Sequence, residues 1–362
     1  MKQRVLFLYN WVPDHERTSR FHECAKMDTV KRITQALTDF EMDVVPVNLF
    51  NPAQLEEVIQ SNAPLDIAFV IAEGFLDHPE SLYDGSGPLE IRAILESHRI
   101  AYTHSGVETM EACRNKDLTY EALSRSGIAI PRFYAFSGRE ERQDILRAEQ
   151  AVGYPMFVKP AGGGGSIGVD PQSVVYHREQ FLNKVSQLRK LIGDQPIIAE
   201  TYLSGREYTA GVIGNGIPYV FPIIAFPEYF SVRSQKVKSV EYQNRNEFEL
   251  LEMSDPKGII IREAAVQVFQ ALGARDLIRI DLKEDDHGNV YVIDVNGTPS
   301  LATKGSLAYM AERLTISHSE LVGFLLYVTM TREGLWIPPI LQETGKKVIS
   351  MLQNGIDGDR VA

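Results

Sequence analysis

Four consecutive glycines, Gly162–Gly165, follow a short apolar run in the segment Tyr154–Gly168, which reads YPMFVKPAGGGGSIG. The run Tyr154–Val158 lies between a glycine and a proline and favours β structure, so it predicts a buried strand that ends at Lys159. A glycine run lets successive backbone N–H groups point into one concavity, which binds anions. A flexible linker is the alternative, but Ile167–Val169 resumes an apolar pattern directly after the glycines. The segment therefore predicts a phosphate-covering loop with a lysine at its base.

The composition is that of a globular protein of two or three domains. Of the 362 residues, 44% are hydrophobic and 23% are charged. A net charge of −11 without a basic stretch argues against nonspecific binding to nucleic acid or to an anionic membrane. Cys24 and Cys113, with no CxxC pair, indicate neither a disulfide framework nor a zinc site. No apolar run approaches the roughly 18 residues of a membrane span, and the start of the chain predicts a strand rather than a signal peptide. We therefore expect a cytoplasmic protein.

Strands alternate with helices in the first hundred residues. The predicted order is strand Val5–Tyr9, helix Asp28–Phe40, strand Asp43–Val47, helix Pro52–Ser61 and strand Ile67–Ile71. This alternation predicts a parallel sheet with right-handed crossovers, forming an N-terminal α/β domain over residues 1–104. Glu73 follows the third strand, where open α/β sheets present ligand groups. It is a candidate site residue, although a helix-capping or solvated carboxylate is an equal alternative.

The rest of the chain divides into a central subdomain, a C-terminal subdomain and a tail. Residues 105–197 contain the glycine-rich loop, and residues 198–330 contain two further polar clusters. In the first cluster, a strand ending at Glu200 and a strand beginning at Glu207 are joined by a tight turn, which suits recognition of a hydroxyl or an amine. A charged hairpin end is the alternative. In the tail, residues 331–362, we expect a short amphipathic helix Glu343–Leu352 that packs either back on the domain or onto a partner subunit.

The second cluster lies on two strands, Leu277–Leu282 and Val290–Asn296, joined by a turn with strong hairpin residues. Alternation places four polar side chains on matching strand faces: Arg279, Asp281, Asp294 and Asn296. Two carboxylates and an amide are the oxygen ligands that Mg²⁺ uses when it also binds substrate phosphates. A structural salt-bridge network is the competing interpretation. The turn that follows Asn296 can present backbone N–H groups to an oxyanion.

Five segments in this order resemble the D-alanine–D-alanine ligase-like branch of the ATP-grasp superfamily over roughly Arg114–Leu326. They read NKDLTYEAL, FVKPAGGGGSIG, IIAETYLSGREY, LIRIDL and VIDVNGTPS. The resemblance implies an α/β ATP-grasp fold, α+β in its C-terminal part, with an N-terminal Rossmann-like (pre-ATP-grasp) domain. It also implies an ATP-dependent ligase that activates a carboxylate as an acyl phosphate and transfers it to an amine, acting on small molecules as a homodimer.

The resemblance assigns ATP-binding positions residue by residue. They are Lys116, Lys159, Gly164, Gly165, Ser166, Glu200, Thr201, Leu203, Glu207 and Lys236. The family implies that the first two lysines contact phosphates and that the glycines and the serine close over them. Glu200, Thr201 and Leu203 match the adenine side, and Glu207 matches the carboxylate on the ribose. Lys236 matches a phosphate-binding lysine of a mobile loop, with Lys238 as the alternative if the register slips.

The resemblance also assigns metal ligands and catalytic residues. Asp281, Asp294 and Asn296 match the ligands of two Mg²⁺ (or Mn²⁺) ions, although Asp294 stands where the family usually has Glu. Arg279 matches the arginine on the transferring phosphoryl group, which acts with Lys159. Ser306 matches a position near the carboxylate of the second amino acid.

The chain departs from the family at the first-substrate site. The family's Ala/Ser–Glu–Arg segment corresponds to YNWVPDHERTSRFHE, in which Glu16 or Asp14 could bind the substrate amine. Gly165 replaces a serine, Val237 replaces a tyrosine and Ser300 replaces a glycine. We therefore expect a changed substrate pair, in peptide or specialised-metabolite biosynthesis. A thiol or an internal nucleophile as acceptor is one alternative function, and a non-catalytic nucleotide-binding protein is another.

Overall fold

The computed structural model describes residues 2–17, 21–137, 141–228, 232–234, 237, 244–252 and 254–357. Its N-terminal part contains strands β1 Arg4–Tyr9, β2 Asp43–Asn48, β3 Ile67–Val70 and β4 Ala101–Tyr102, and helices α1 Met27–Asp39, α2 Pro52–Ser61 and α3 Ser86–Ser97. The strands form a parallel sheet in the order β2-β1-β3-β4. The predicted α/β alternation is confirmed here. Helix α1 forms because Val30, Ile33 and Leu37 recur at helical spacing and are buried on one face.

The central part is an antiparallel sheet preceded by two helices. Helices α4 Val107–Arg114 and α5 Lys116–Arg125 come first, followed by β5 Phe133–Phe136, α6 Glu141–Ala151, β6 Met156–Pro160, β7 Val174–Val175, α7 Arg178–Ile192 and β8 Ile197–Thr201. The strand order is β5-β8-β6-β7. Because β8 pairs with β5 and β6, it lies in this sheet and not with the strands that follow it. The sheet therefore continues past the predicted division at residues 197 and 198.

The C-terminal part is a second antiparallel sheet. It contains β9 Glu207–Gly214, β10 Tyr219–Val220, β11 Ile224–Ala225, β12 Glu249–Leu250, helix α8 Pro256–Ala271, β13 Asp276–Glu284 and β14 Val290–Asn296. The order is β12-β11-β9-β13-β14, with β10 on β9. The β13–β14 turn forms because Asp285 Oδ1 accepts hydrogen bonds from the backbone N–H groups of His287, at 2.9 Å, and Asn289, at 2.8 Å.

Three helices close the chain: α9 Ser306–Arg313, α10 His318–Arg332 and α11 Pro339–Asp357. Helix α11 packs on α10 and buries Leu341, Val348 and Leu352, so the tail packs back on the chain. The largest hydrophobic core joins side chains of α10 to those of the N-terminal sheet. Within the described part of the chain, no helix has the length and apolar character needed to cross a bilayer.

Asp276 is a fully buried carboxylate that connects the C-terminal sheet and helix α10 to the end of the N-terminal part. It accepts hydrogen bonds from Arg332, through Nε at 3.0 Å and Nη2 at 2.9 Å, and from Thr329 Oγ1 at 3.0 Å. Asn215 Nδ2, at 2.7 Å, and the backbone N–H of His104, at 2.9 Å, complete its partners. Such a carboxylate is stable in the interior because every lone pair meets a donor.

His104 gives the fold a measurable pH dependence. Burial, with a smaller effect of the Arg92 charge, lowers the pKa of His104 to about 3. The unfolded chain has the ordinary histidine pKa of about 6.5, so below that pH the unfolded state binds the proton and the folded state does not. Stability is therefore lost as pH falls from about 6.5 toward 3, by about 1.4 kcal/mol per pH unit.

Replacing His104 with asparagine tests this dependence, because asparagine tolerates the φ of 71° at this position. Between pH 7 and pH 5, urea unfolding of the wild type should lose about 2 kcal/mol more than unfolding of His104→Asn. Equal losses in the two proteins would contradict a neutral buried imidazole.

Candidate active site

One cavity of about 590 Å³ is lined by residues from all three parts of the chain. Most of the predicted site residues line it: Glu73, Lys116, Lys159, Gly164, Gly165, Ser166, Glu200, Thr201, Leu203, Glu207, Arg279, Asp281, Asp294, Asn296 and Ser300. Glu16 does not, because it lies in an exposed 3₁₀ turn, Asp14–Glu16. Ser306 is buried at the start of α9 and is not among the lining residues. Lys236 and its alternative Lys238 lie outside the described residues.

Lys159 is positioned by a buried ion pair. Its Nζ lies 2.8 Å from Glu200 Oε1, and the side chains are 8% and 5% exposed. The Tyr120 hydroxyl lies 2.9 Å from Glu200 Oε2, and its pKa is raised well above the usual value by burial and by the Glu200 charge. Glu200 therefore fixes the ammonium group at the end of β6, in addition to lining the cavity.

A β-bulge in the β13–β14 ladder supplies a further contact to Lys159. Asp281 pairs with Asp294, but Leu282 pairs with Val292, so Ile293 is an extra residue on β14. The Ile293 carbonyl lies 3.4 Å from Lys159 Nζ and 3.0 Å from the Tyr120 hydroxyl. The bulge thus presents a backbone acceptor from the C-terminal sheet to a lysine of the central sheet.

The β13–β14 hairpin brings the four polar side chains together as alternation predicts. Arg279 lies opposite Asn296 and Asp281 opposite Asp294. Arg279 donates to both oxygens of Asp281, from Nε at 3.1 Å and from Nη2 at 3.2 Å. Lys116 Nζ lies 3.2 Å from Asp294 Oδ1. Ion pairs and a candidate ligand set therefore coexist on the same strands.

The donor set suits a hard divalent cation. Asp281 and Asp294 offer carboxylate oxygens, and Asn296 offers an amide oxygen that the Thr298 backbone N–H orients at 3.0 Å. Among the residues that the structure describes, no three His, Cys, Asp or Glu side chains converge on one point. The chemistry fits Mg²⁺, which keeps a few protein ligands and takes its other oxygens from water or phosphates.

The glycine-rich loop is fixed at both ends. At its start, the Lys116 backbone N–H donates to the Ala161 carbonyl at 2.9 Å, and Asn115 forms a β-bridge with Gly162. At its end, Lys184 Nζ donates to the Gly168 carbonyl at 2.9 Å and to Asp170 Oδ1 at 3.0 Å. The loop between these anchors faces the cavity, where a phosphate can meet its backbone N–H groups.

Glu207, at the start of β9, lies between two cations. Arg233 Nη1 contacts Glu207 Oε1 at 2.5 Å, and Lys283 Nζ lies 3.7 Å from Oε2. The Arg233 guanidinium also stacks over the Phe226 ring, 3.3 Å from its centroid. Arg233 precedes Lys236 by three residues, so a described residue close to the predicted mobile-loop lysine reaches the cavity.

Sequence reasoning missed a charged group at the N-terminal side of the cavity. Glu23, His22 and Arg114 all line it, and Arg114 forms an ion pair with Glu73 in which both side chains are buried. Burial raises the pKa of Glu23, but hydrogen bonding and charge from His22, with the charges of Arg114 and Arg279, bring it below its ordinary value. Glu23 is therefore ionised. The available signal was its position four residues before Met27, the first residue of helix α1.

Comparison with known proteins gives a consistent result. The family model described as D-ala D-ala ligase C-terminus matches residues 122–327. The chain is 30% identical to the D-alanine–D-alanine ligase of Dechloromonas aromatica over 273 residues, 75% of this chain and 82% of that protein. It is also 30% identical to the D-alanine–D-alanine ligase of Neisseria meningitidis (serogroup C) over 220 residues, 59% of this chain and 66% of that protein.

Solved structures show the same fold at lower identity. The D-alanine–D-alanine ligase from Bacillus anthracis complexed with ATP has a TM-score of 0.68 at 20% identity, covering 91% of this chain and 98% of that one. The VanG D-Ala:D-Ser ligase from Enterococcus faecalis has a TM-score of 0.67 at 15% identity, covering 91% of this chain and 100% of that one. The predicted ATP-grasp architecture is confirmed.

Proposed function

Because the chain belongs to the D-alanine–D-alanine ligase family and is an ATP-dependent ligase that joins amino acids by an amide bond, we propose that its substrate pair differs from two D-alanines. The observation that carries this proposal is the group Glu23, His22, Arg114 and Glu73 at one end of the cavity. The nucleotide-side residues resemble those of the family, whereas Gly165, which lies beside His22 and Glu23 at this end of the cavity, stands where the family has a serine.

In the proposed first step, a substrate carboxylate oxygen attacks the γ-phosphorus of ATP, and ADP leaves. Lys116, Lys159 and Arg279 neutralise the charge that accumulates on the phosphoryl oxygens. Lys159 is suited to this role because Glu200 and the Ile293 carbonyl fix its ammonium group before substrates bind. We further propose that Asp281, Asp294 and Asn296 bind two Mg²⁺ (or Mn²⁺) ions, which would supply additional neutralisation of phosphate charge.

In the proposed second step, the amine of the second substrate attacks the acyl carbon, inorganic phosphate leaves and the amine loses a proton. The intermediate carries an oxyanion, for which Arg279 and the backbone that follows Asn296 are suitable donors. The glycine-rich loop lies over the same cavity, so its closure would exclude water from the acyl phosphate.

The first substrate is proposed to be an amino acid with a free ammonium group. Glu23 and Glu73 both line this end of the cavity, and the Glu23 carboxylate can accept charge-assisted hydrogen bonds from a substrate ammonium group. Glu23 is thus proposed for the amine-binding role that the sequence suggested for Glu16.

The family resemblance further supports a homodimer, and use of ATP with two reduced, buried cysteines supports a cytoplasmic enzyme.

The test is ADP release from Mg·ATP over a panel of D- and L-amino acids, singly and in pairs. ADP formation that requires two amino acids and yields a condensed mass would support the proposal and identify the substrates. Lys159→Ala should abolish this activity, and the exposed Lys190→Ala should leave it unchanged. If two D-alanines prove to be the best pair, the proposal of a changed substrate pair is wrong.

Lys184 allows a separate prediction about the glycine-rich loop. Its buried ammonium group donates to Gly168, Asp170 and Gln187, so Lys184→Met keeps the approximate volume but releases the end of the loop. Hydrogen bonds from a charged group contribute about 1.5–3 kcal/mol each, so the KM for ATP should rise about 10-fold. Lys190→Met, exposed on the same helix, is the matched control. An unchanged KM for ATP would show that the loop does not depend on this anchor.

A further inference from the structure

The dipeptide His22–Glu23 lies on an anchored turn between β1 and α1. Arg17 Nη2 donates to the carbonyls of His22, at 3.2 Å, and Cys24, at 2.9 Å. The Cys24 side chain packs in a small buried cluster, and the Ala25 N–H donates to the Asn10 carbonyl at 2.8 Å. The positions of the imidazole and the carboxylate are therefore set by the fold of the N-terminal part.

The imidazole of His22 lies directly against Gly165 of the glycine-rich loop. Gly165 has a φ of 64°, and a Cβ at this residue would lie 1.6 Å from His22 Nε2 and 2.8 Å from Glu23 Oε1. His22 Nε2 is also 3.3 Å from Glu23 Oε1. No side chain fits at position 165 while His22 keeps this position, because the overlap is far below any van der Waals contact.

Glu23 touches the same loop one residue earlier. A Cβ at Gly164 would lie 2.7 Å from Glu23 Oε1 and 3.3 Å from Arg114 Nη1. The loop that covers the nucleotide phosphates and the carboxylate that faces the first substrate are thus in direct contact. Any movement of one must be accommodated by the other.

We propose that His22 is a specificity-determining residue. Its imidazole comes from the opposite wall of the cavity and occupies the space that a side chain at position 165 would need. In this way it couples closure of the glycine-rich loop to the first-substrate site. The inference rests on the proposed function for the identity of that site. In the family, the residue at the position of Gly165 is a serine. Here position 165 has no side chain, and the N-terminal segment contributes an imidazole.

The experiment is a double-mutant cycle with Gly165→Ser, His22→Ala and the double variant. Gly165→Ser should weaken Mg·ATP binding, measured by calorimetry, by about 100-fold, since overpacking of this size costs a few kcal/mol. The double variant should recover about 10-fold of that loss, because removing the imidazole makes room for the serine. His22→Ala alone should raise the KM for the first amino acid more than the KM for the second.

Gly153→Ser is the matched control for backbone strain, because Gly153 has a φ of 76° and a Cβ added there would have nothing within 4 Å. Gly153→Ser should lower the melting temperature slightly and leave ATP affinity unchanged. Additive ATP affinities in the cycle, or equal effects of His22→Ala on both amino-acid KM values, would overturn the role of His22. Absence of ADP from the wild type with every amino-acid pair would instead overturn the proposed function, whatever the ATP affinities.

Discussion

Replacing Arg279 with alanine is expected to lower the rate of ADP formation by about 10³-fold at saturating substrates, the loss typical of removing a guanidinium from a phosphoryl-transfer site. Arg279 lies on β13 opposite Asn296, with its guanidinium oriented by both oxygens of Asp281. The charge is thus fixed beside the candidate metal ligands. The measurement is kcat in a coupled ADP assay, together with the affinity for Mg·ATP.

Arg279→Lys separates charge from geometry. Lysine keeps the positive charge but cannot make the paired contacts with Asp281, so we expect kcat to stay at least about 10-fold below wild type. ATP affinity should change much less than kcat in both variants if the arginine acts on the transferring phosphoryl group. A kcat for Arg279→Ala within about 10-fold of wild type would remove Arg279 from the chemical step.

Replacing Asp276 with asparagine is expected to destabilise the protein by about 3–5 kcal/mol, the range for breaking one side of a buried ion pair. Asparagine keeps the shape and tolerates the φ of 63° at this residue, so the change isolates the charge. Arg332 would lose the buried carboxylate at its Nε and Nη2 and keep only the more exposed Glu333 carboxylate at its Nη1. Urea unfolding measures the loss.

An exposed ion pair provides the control for Asp276→Asn. Asp28 and Arg32 on α1 form a pair whose side chains are 61% and 56% exposed. Asp28→Asn should change stability by no more than about 0.5 kcal/mol. Replacing Arg332 with methionine in the Asp276→Asn background should recover part of the lost stability, since the guanidinium that has lost its buried carboxylate is removed. A loss below about 1 kcal/mol for Asp276→Asn would show that water or another group compensates for the charge.

Regular elements of this chain are predictable from the sequence because their signals are local. The helix Pro52–Ser61 has a proline in its first turn and an asparagine cap, and the strand Val290–Asn296 follows strong turn residues, so both have the predicted bounds. The polar faces of β13 and β14 follow from a period of two and need no tertiary information.

The side of the cavity that we propose binds the first substrate was not predictable in the same way. Glu16 and Glu23 are both carboxylates in an irregular segment, and only the three-dimensional path of the chain turns Glu16 outward and Glu23 into the cavity. In the sequence, nothing distinguishes Arg114 from other cations in helical patterns. Only the fold places it, at the end of α4, beside Glu73. Ion pairs between residues that are far apart in the sequence, such as this one, depend on the complete fold. The periodicity of hydrophobic residues along the chain does not predict them.

The bulge at Ile293 has a consequence for exchanging parts between relatives. Lys159 comes from the central sheet, but one of its acceptors is a carbonyl that the hairpin of the C-terminal sheet releases from its own ladder. Consider a chimera in which residues 133–201 of this chain replace the same region of a relative whose hairpin has no bulge. The chimera would contain the lysine but would lack this carbonyl acceptor. The two proteins should therefore both have an extra residue at the position of Ile293, between the strand partners of Asp281 and Leu282. This criterion should count for more than the overall sequence identity of the two proteins.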